Sequence, residues 1–191
     1  MHVSPTALPG VLVIEPKVWA DARGFFFESF HADRFRQATG LDTNFVQDNH
    51  SRSQCGILRG LHYQLTCPQT KLCRVVQGEV LDVAVDIRRG SPTFGKWVSV
   101  LLSADNKRQI LVPRGFAHGF VVLSDTAEFL YKCDDFYRPE DERGIAWNDP
   151  DIGIDWQLPA DYPPLLLSGK DQRNPRLCEV AADDLPVYSE P

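Results

Sequence analysis

In the stretch Gly56-Ile57-Leu58-Arg59-Gly60-Leu61-His62-Tyr63-Gln64, a histidine closes a short apolar run. An arginine, Arg59, stands three residues before it, and a lysine, Lys71, follows a few residues after. Such a group makes a poor core element. Leu or Val packs better than His, and Arg and Lys are almost never fully buried unless paired. The grouping points instead to a polar cavity where a base and two cations meet an anionic ligand. Imidazole suits proton transfer because its ordinary pKa, roughly 6.5, lies near neutral pH.

The same histidine invites a metal reading. Cupins carry a Gly-x5-His-x-His pattern, and Gly56 and His62 match its first half. Gln64 stands where the second histidine belongs. Further on, Pro113-Arg114-Gly115-Phe116-Ala117-His118 matches the Pro-x-Gly-x-x-His part of the second cupin pattern. Two histidines remain, with no well-placed carboxylate between them. A catalytic site of this kind needs three protein ligands and an open position, so no metal is expected. That leaves His62 free to act as a proton-transfer base.

The elements that would position these residues read as β. Leu12 to Ile14 is a short strand, and Gly24 to Phe30 reads as a second. His31 to Thr39 is the clearest helix, ended by Gly40, with Phe35 and Ala38 facing inward. Lys71 to Val76 and Glu79 to Ile87, joined at Gly78, read as a hairpin. In its second arm Leu81, Val83, Val85 and Ile87 alternate with Asp82, Ala84 and Asp86, a period of two. Strands are also expected over Lys96 to Leu102, Gln109 to Val112, Ala117 to Leu123 and Ala127 to Cys133. In the first of these, Trp97, Ser99 and Leu101 share a face. Many short strands with regular turns indicate a jelly-roll sandwich or barrel. The proline-rich last 50 residues read as irregular structure wrapped over it. Strict alternation puts His62 and Gln64 on one face of their strand and Arg59 on the other. A bulge or twist, which Gly60 would permit, is required if Arg59 and His62 are both to point inward.

The 191 residues suit one domain. With 43% hydrophobic and 24% charged residues, the chain has an ordinary globular composition. Its net charge of -6 argues against non-specific binding to nucleic acid or membranes. No apolar run approaches the ~20 residues of a membrane span. The first residues lack a charged region followed by an apolar run, so no signal peptide is expected. The five cysteines show no Cys-x-x-Cys spacing. Free thiols in a reducing cytoplasm are the expectation.

Further segments carry a resemblance. They include Asp21-x-Arg23-Gly24-Phe25-Phe26-x-Glu28-Ser29-Phe30, Gln47-Asp48-Asn49-His50-Ser51 and Leu58 to Gln64. Pro113-x-Gly115-Phe116-Ala117-His118-Gly119-Phe120 and Phe129-Leu130-Tyr131-Lys132 follow. Glu142-Arg143-Gly144-Ile145-x-Trp147-x-Asp149 and Leu167-Ser168-x-Lys170-Asp171 complete the series. In this order they resemble the dTDP-4-dehydrorhamnose 3,5-epimerases, over about residues 3 to 175. The resemblance implies a cupin-type jelly roll, a homodimer, a dTDP-sugar substrate and no metal or organic cofactor. It implies epimerisation at C3 and C5 of dTDP-4-dehydro-6-deoxy-D-glucose, in dTDP-L-rhamnose biosynthesis for cell-surface polysaccharide.

The residues suit that chemistry. A ketone at C4 makes the hydrogens on C3 and C5 acidic, because the carbanion left behind is an enolate. By resemblance His62 is the base and Asp171 the carboxylate that fixes its tautomer. Tyr131 donates a proton on the opposite face, and Lys71 stabilises the ketone oxygen as charge develops. Arg23 and Arg59 match diphosphate-binding positions, and Tyr137 an aromatic that stacks on thymine. Glu28, Gln47, Asp48 and Asn49 offer donors and acceptors. His118, Glu142 and Lys170 match further ligand-contacting positions. Competing functions are a monoepimerase or ketoisomerase on the same fold, a cupin that only binds a nucleotide or sugar, and a metal-dependent cupin oxygenase.

Overall fold

Alternating apolar residues and frequent turns give thirteen short strands and one α-helix among the described residues. The computed structural model describes residues 1–189. The strands are β1 (His2–Pro5), β2 (Leu12–Glu15), β3 (Trp19–Asp21), β4 (Gly24–Phe26), β5 (Gln47–Gln54), β6 (Leu58–Gln64) and β7 (Lys71–Gln77). Then come β8 (Glu79–Asp86), β9 (Trp97–Ser103), β10 (Gln109–Val112), β11 (Phe116–Val122), β12 (Thr126–Cys133) and β13 (Glu142–Gly144). The helix α1 (Ala32–Thr39) lies between β4 and β5.

Two antiparallel sheets form the jelly roll. One has six strands in the order β1-β2-β10-β7-β12-β5, and the other five, in the order β13-β6-β11-β8-β9. Val75, Ile110 and Phe129 of the first meet Val80, Ala84 and Phe120 of the second in a shared core. Phe120 and Phe129 stack with ring centroids 4.2 Å apart. Fully burying one such side chain is worth about 1.5–3 kcal/mol.

The outer faces are covered by different parts of the chain. Phe35 of α1 packs with Ile14, Leu72 and Leu111 on the back of the six-stranded sheet. On the back of the other, Leu81, Val83 and Val85 pack with Trp156, Leu177 and Leu185 from the C-terminal segment. That segment is irregular, with three 3-10 turns, as its prolines suggest. Strand β8 is therefore buried on both faces, and its alternation separates two cores rather than core from solvent.

Three expectations need correction. Strands β7 and β8 are not a hairpin: β7 pairs with β10 and β12, and β8 with β9 and β11. Gly78 carries the chain from one sheet to the other. It sits at φ +71, and a Cβ there would lie 2.0 Å from the Thr126 carbonyl oxygen. The strand expected over Gly24 to Phe30 stops at Phe26, and Trp19, Phe25 and Phe26 of its small hairpin are exposed. Ala38 is exposed, so Phe35 alone carries the buried face of α1. In β9 Val98 and Val100 face the shared core, and Trp97, Ser99 and Leu101 share the opposite face as expected.

Candidate active site

A cavity of about 750 Å³ opens between the sheets. The five-stranded sheet contributes Arg59 and His62 from β6, His118 from β11 and Glu142 from β13. The six-stranded sheet contributes Gln47 and Asn49 from β5, Lys71 from β7 and Tyr131 from β12. Tyr137 comes from the loop before β13, and Lys170 and Asp171 from the segment after it. The imidazole and the phenol thus belong to opposite walls of one hollow.

Arg59 and His62 both line this hollow, as the reading of Gly60 requires. Register between β6 and β11 shifts at this point: His62 pairs with His118, but Arg59 with Phe120. Gly60 lies at φ +125, and a Cβ on it would meet Gly119 Cα at 2.6 Å. Only glycine lets the two backbones approach and the strand turn between its two functional side chains.

His62 is held at one edge. Its Nε2 donates to Asp171 Oδ1 at 2.5 Å, which leaves Nδ1 as the nitrogen free for the substrate. Glu142 Oε1 lies 3.9 Å from Nδ1. Asp171 opens a short 3-10 turn, is only 4% exposed, and donates its own N–H to Ser168 Oγ at 3.1 Å. Burial opposes ionisation of Asp171, but the hydrogen bond and charge of His62, with help from Ser168 and Gly60, hold its carboxyl below the usual carboxylate range.

A carboxyl whose folded pKa is depressed stabilises the fold above its unfolded pKa, and loses that contribution as pH falls through the folded value. Below about pH 4, the usual carboxylate value, wild-type unfolding free energy should therefore fall more steeply than that of Asp171→Asn. Denaturant titrations at several acidic pH values measure the two slopes. Equal slopes would show that Asp171 is not ionised in the fold.

Glu142 is also ionised, held below its usual range. Burial opposes this but is outweighed by Lys170, His62 and Tyr137. Lys170 Nζ donates to Glu142 Oε2, and Tyr137 Oη donates to the same oxygen at 2.9 Å. Lys71 and Arg59, by contrast, have no carboxylate partner among the described residues. Arg59 donates only to Ser53 Oγ, at 3.1 Å. Two unpaired cations facing one cavity, Arg59 from the five-stranded wall and Lys71 from the six-stranded wall, form a receptor for an anion. On the six-stranded wall, which also carries Lys71, burial pushes the Tyr131 phenol up to about 12, with Cys133, Cys73 and Glu142 adding to it and Arg59 opposing. The phenol is therefore neutral at ordinary pH and keeps a proton to give.

Gln64, at the position of the second cupin histidine, is occupied with backbone. Its Oε1 accepts from Arg138 N–H at 2.7 Å, and its Nε2 donates to the Cys67 and Phe136 carbonyls. With Gln47 Oε1, which accepts from Tyr137 N–H at 2.9 Å, it fixes the loop that carries Tyr137. His118 Nε2 donates to both oxygens of Asp82, at 2.9 and 3.0 Å. Asp82 itself is fully buried and does not line the cavity.

Three expected site residues lie away from the hollow in their own chain. Arg23 sits on the β3–β4 hairpin with its side chain 90% exposed, paired with Asp21. Glu28 pairs with Arg34. Asp48 points to the other side of β5 and pairs with Lys132 at 2.9 Å. Sequence reasoning missed Ser53, which holds Arg59, Ser168, which holds Asp171, and Gln69 in the cavity wall. Ser168 lay within a quoted motif, whereas nothing in the pattern marked Ser53 or Gln69.

The chain is similar to known proteins over nearly its whole length. Residues 5–179 match the family model for dTDP-4-dehydrorhamnose 3,5-epimerase. A dTDP-4-dehydrorhamnose 3,5-epimerase of Pseudomonas aeruginosa is 60% identical over 173 residues, covering 91% of this chain and 94% of the relative. The crystal structure of a dTDP-6-deoxy-D-glucose-3,5-epimerase from Legionella pneumophila, in complex with dTDP-4-keto-L-rhamnose, superposes with a TM-score of 0.95 at 52% identity, covering 99% of both chains. An epimerase structure from Mycobacterium tuberculosis superposes at 0.93 with 41% identity, covering 98% of this chain and 94% of that one. The chain belongs to the dTDP-4-dehydrorhamnose 3,5-epimerase family.

Proposed function

We propose that the protein epimerises dTDP-4-dehydro-6-deoxy-D-glucose at C3 and C5 to dTDP-4-dehydro-L-rhamnose, in dTDP-L-rhamnose biosynthesis. The observation that carries this reading is the opposition of the His62–Asp171 pair to Tyr131 across a cavity that also holds an unpaired Lys71. The 60% identity to the Pseudomonas relative supports double rather than single epimerisation.

The steps follow from these groups. His62 takes the proton from C3 or C5, and the electron pair moves into the C4 ketone. Lys71 stabilises the enolate oxygen, and Asp171 stabilises the imidazolium. Tyr131 returns a proton to the opposite face. Solvent then reprotonates the phenolate and deprotonates the imidazolium. Arg59 and Lys170 hold the diphosphate, and Tyr137 stacks on the thymine. Gln47, Asn49, Glu142 and His118 make further polar contacts. Incubation with dTDP-4-dehydro-6-deoxy-D-glucose in D2O tests the reaction by NMR. Deuterium is expected at both carbons. Deuterium at one carbon only would limit the protein to a monoepimerase, and at neither would refute the reading.

A homodimer and a cytoplasmic location belong to the same proposal. No helix among the described residues is long and apolar enough to cross a membrane. The free cysteines support a reducing compartment. The exposed Trp19, Phe25 and Phe26 give the β3–β4 hairpin an apolar surface that a second copy would cover. Arg23 and Glu28 reach no cavity in their own chain, so a ligand-binding role for them needs that second copy. Arg23→Ala is then expected to raise KM about tenfold with kcat little changed, in a protein that sediments as a dimer. Monomeric wild-type protein, or an unchanged KM, would remove Arg23 from the site.

A further inference from the structure

Reaching back from the cavity wall is a second cluster, of which the proposed epimerase chemistry uses only His118. Cys73 of β7, Asp82 of β8 and His118 of β11 converge from both sheets. Their ligand atoms all lie within 4.8 Å of one another. Cys73 Sγ is 4.0 Å from His118 Nε2, the nitrogen that also faces Asp82 at 2.9 Å. Cys73 and Asp82 are fully buried, and His118 is 7% exposed.

Asp82 is the unusual member. A carboxylate can accept about four hydrogen bonds. Among the described residues this one receives a single N–H, shared between its two oxygens. No Lys or Arg pairs with it. A buried carboxylate so thinly satisfied is costly, and a cation would complete its surroundings.

We propose that Cys73, Asp82 and His118 bind a soft-to-borderline divalent cation of the zinc class, and that its occupation inhibits the enzyme. One thiolate, one imidazole and one carboxylate are the donors such an ion accepts, with a fourth position open. The Cys73–His118 and His118–Asp82 separations, 4.0 and 2.9 Å, lie close to the spacing of two ligands on one ion. His118 lines the substrate cavity, so the ion enters from there. This trio is not the pair of cupin histidines, since β7 and β8 supply two of its three members.

Inhibition follows from position. Lys71 lies two residues before Cys73 on the same face of β7, and Tyr131 stands opposite Cys73 in the β7–β12 register. A dication at Cys73 repels the Lys71 ammonium from the ketone oxygen. It also takes the His118 nitrogen that now bonds Asp82.

The test uses chelator-treated full-length protein. Cadmium chloride is titrated while the ultraviolet charge-transfer band of a cadmium–thiolate bond is followed. Zinc chloride is titrated while solvent-deuterium incorporation into substrate is followed. Wild type is expected to show the band saturating at one cadmium per chain, with zinc inhibition over the same stoichiometry. Cys73→Val is expected to lose the band, keep its metal-free activity, and need at least about tenfold more zinc for the same inhibition. Cys73→Ala removes the sulfur without adding volume, and repeats the test if valine is not accommodated. Absence of the band in wild type would overturn the proposal. So would a band that survives in both variants, which would belong to Cys55, Cys67, Cys133 or Cys178, or zinc inhibition that ignores the substitution.

Discussion

Alanine in place of His62 is expected to abolish solvent-deuterium incorporation at both C3 and C5, while dTDP-sugar binding survives. His62 and His118 both line the cavity and are each held by a buried carboxylate, but His62, its side chain 26% exposed against 7% for His118 and 2.5 Å from Asp171, is the imidazole open to a substrate. Removing it removes the base and strands Asp171 as an unpaired buried anion. The loss in kcat should be about 10²–10⁴-fold, the usual worth of a positioned general base. Binding should change far less, because the groups proposed to hold the nucleotide (Arg59, Lys170 and Tyr137) are separate side chains. Isothermal titration with dTDP and NMR of the exchanging protons separate the two effects. Exchange near the wild-type rate would show that another group takes the proton. Loss of binding in parallel with exchange would show that His62 holds the ligand rather than deprotonates it.

Local chemistry was legible in the sequence, and long-range pairing was not. Strand β10 occupies Gln109–Val112, as its four residues indicate, and Gly40 ends α1. The Gly60 irregularity was also legible, because a period of two cannot put Arg59 and His62 on one face without it. The β7–β8 hairpin misled because Gly78 is a turn residue whether the chain folds back within one sheet or crosses to the other. Nothing local distinguishes the two. The alternation of β8 told inward from outward but not that both sides are buried. For that reason Asp82 and Asp86, which alternation alone would place toward solvent, are both fully buried. Asp86 is satisfied by Arg88, Ser91 and Thr93, each within a few residues in sequence, so its burial is supported locally. Asp82 finds its partner 36 residues away. Asp171 is 109 residues from His62, and only the family resemblance joined them. Arg23 and Glu28 mark the limit of a single chain. Their motif is intact, but their own fold turns them away from the cavity.

Phenylalanine at Tyr131 should damage net epimerisation more than proton exchange. The ring is part of the cavity wall and packs against the shared core, so phenylalanine keeps the shape and removes only the hydroxyl. Exchange needs His62 alone: the base takes a proton, trades it with solvent and returns it to the same face. Inversion needs a donor on the other wall, and Tyr131 faces His62 from there. With its pKa pushed up to about 12, the phenol stays protonated across the working range and holds its proton until the carbanion forms. Tyr131→Phe should therefore lower the rate of product formation by about 10²–10⁴-fold. Deuterium incorporation into recovered substrate should fall much less. The ratio of the two rates is the decisive reading, because a structural defect would lower both together. Since the wild-type phenol titrates only near 12, its product rate should also show no alkaline fall from this group below about pH 11. Equal loss of inversion and exchange would show that Tyr131 shapes the cavity without supplying the second proton, and the donor would then have to be sought among the remaining groups of that wall, such as Lys71.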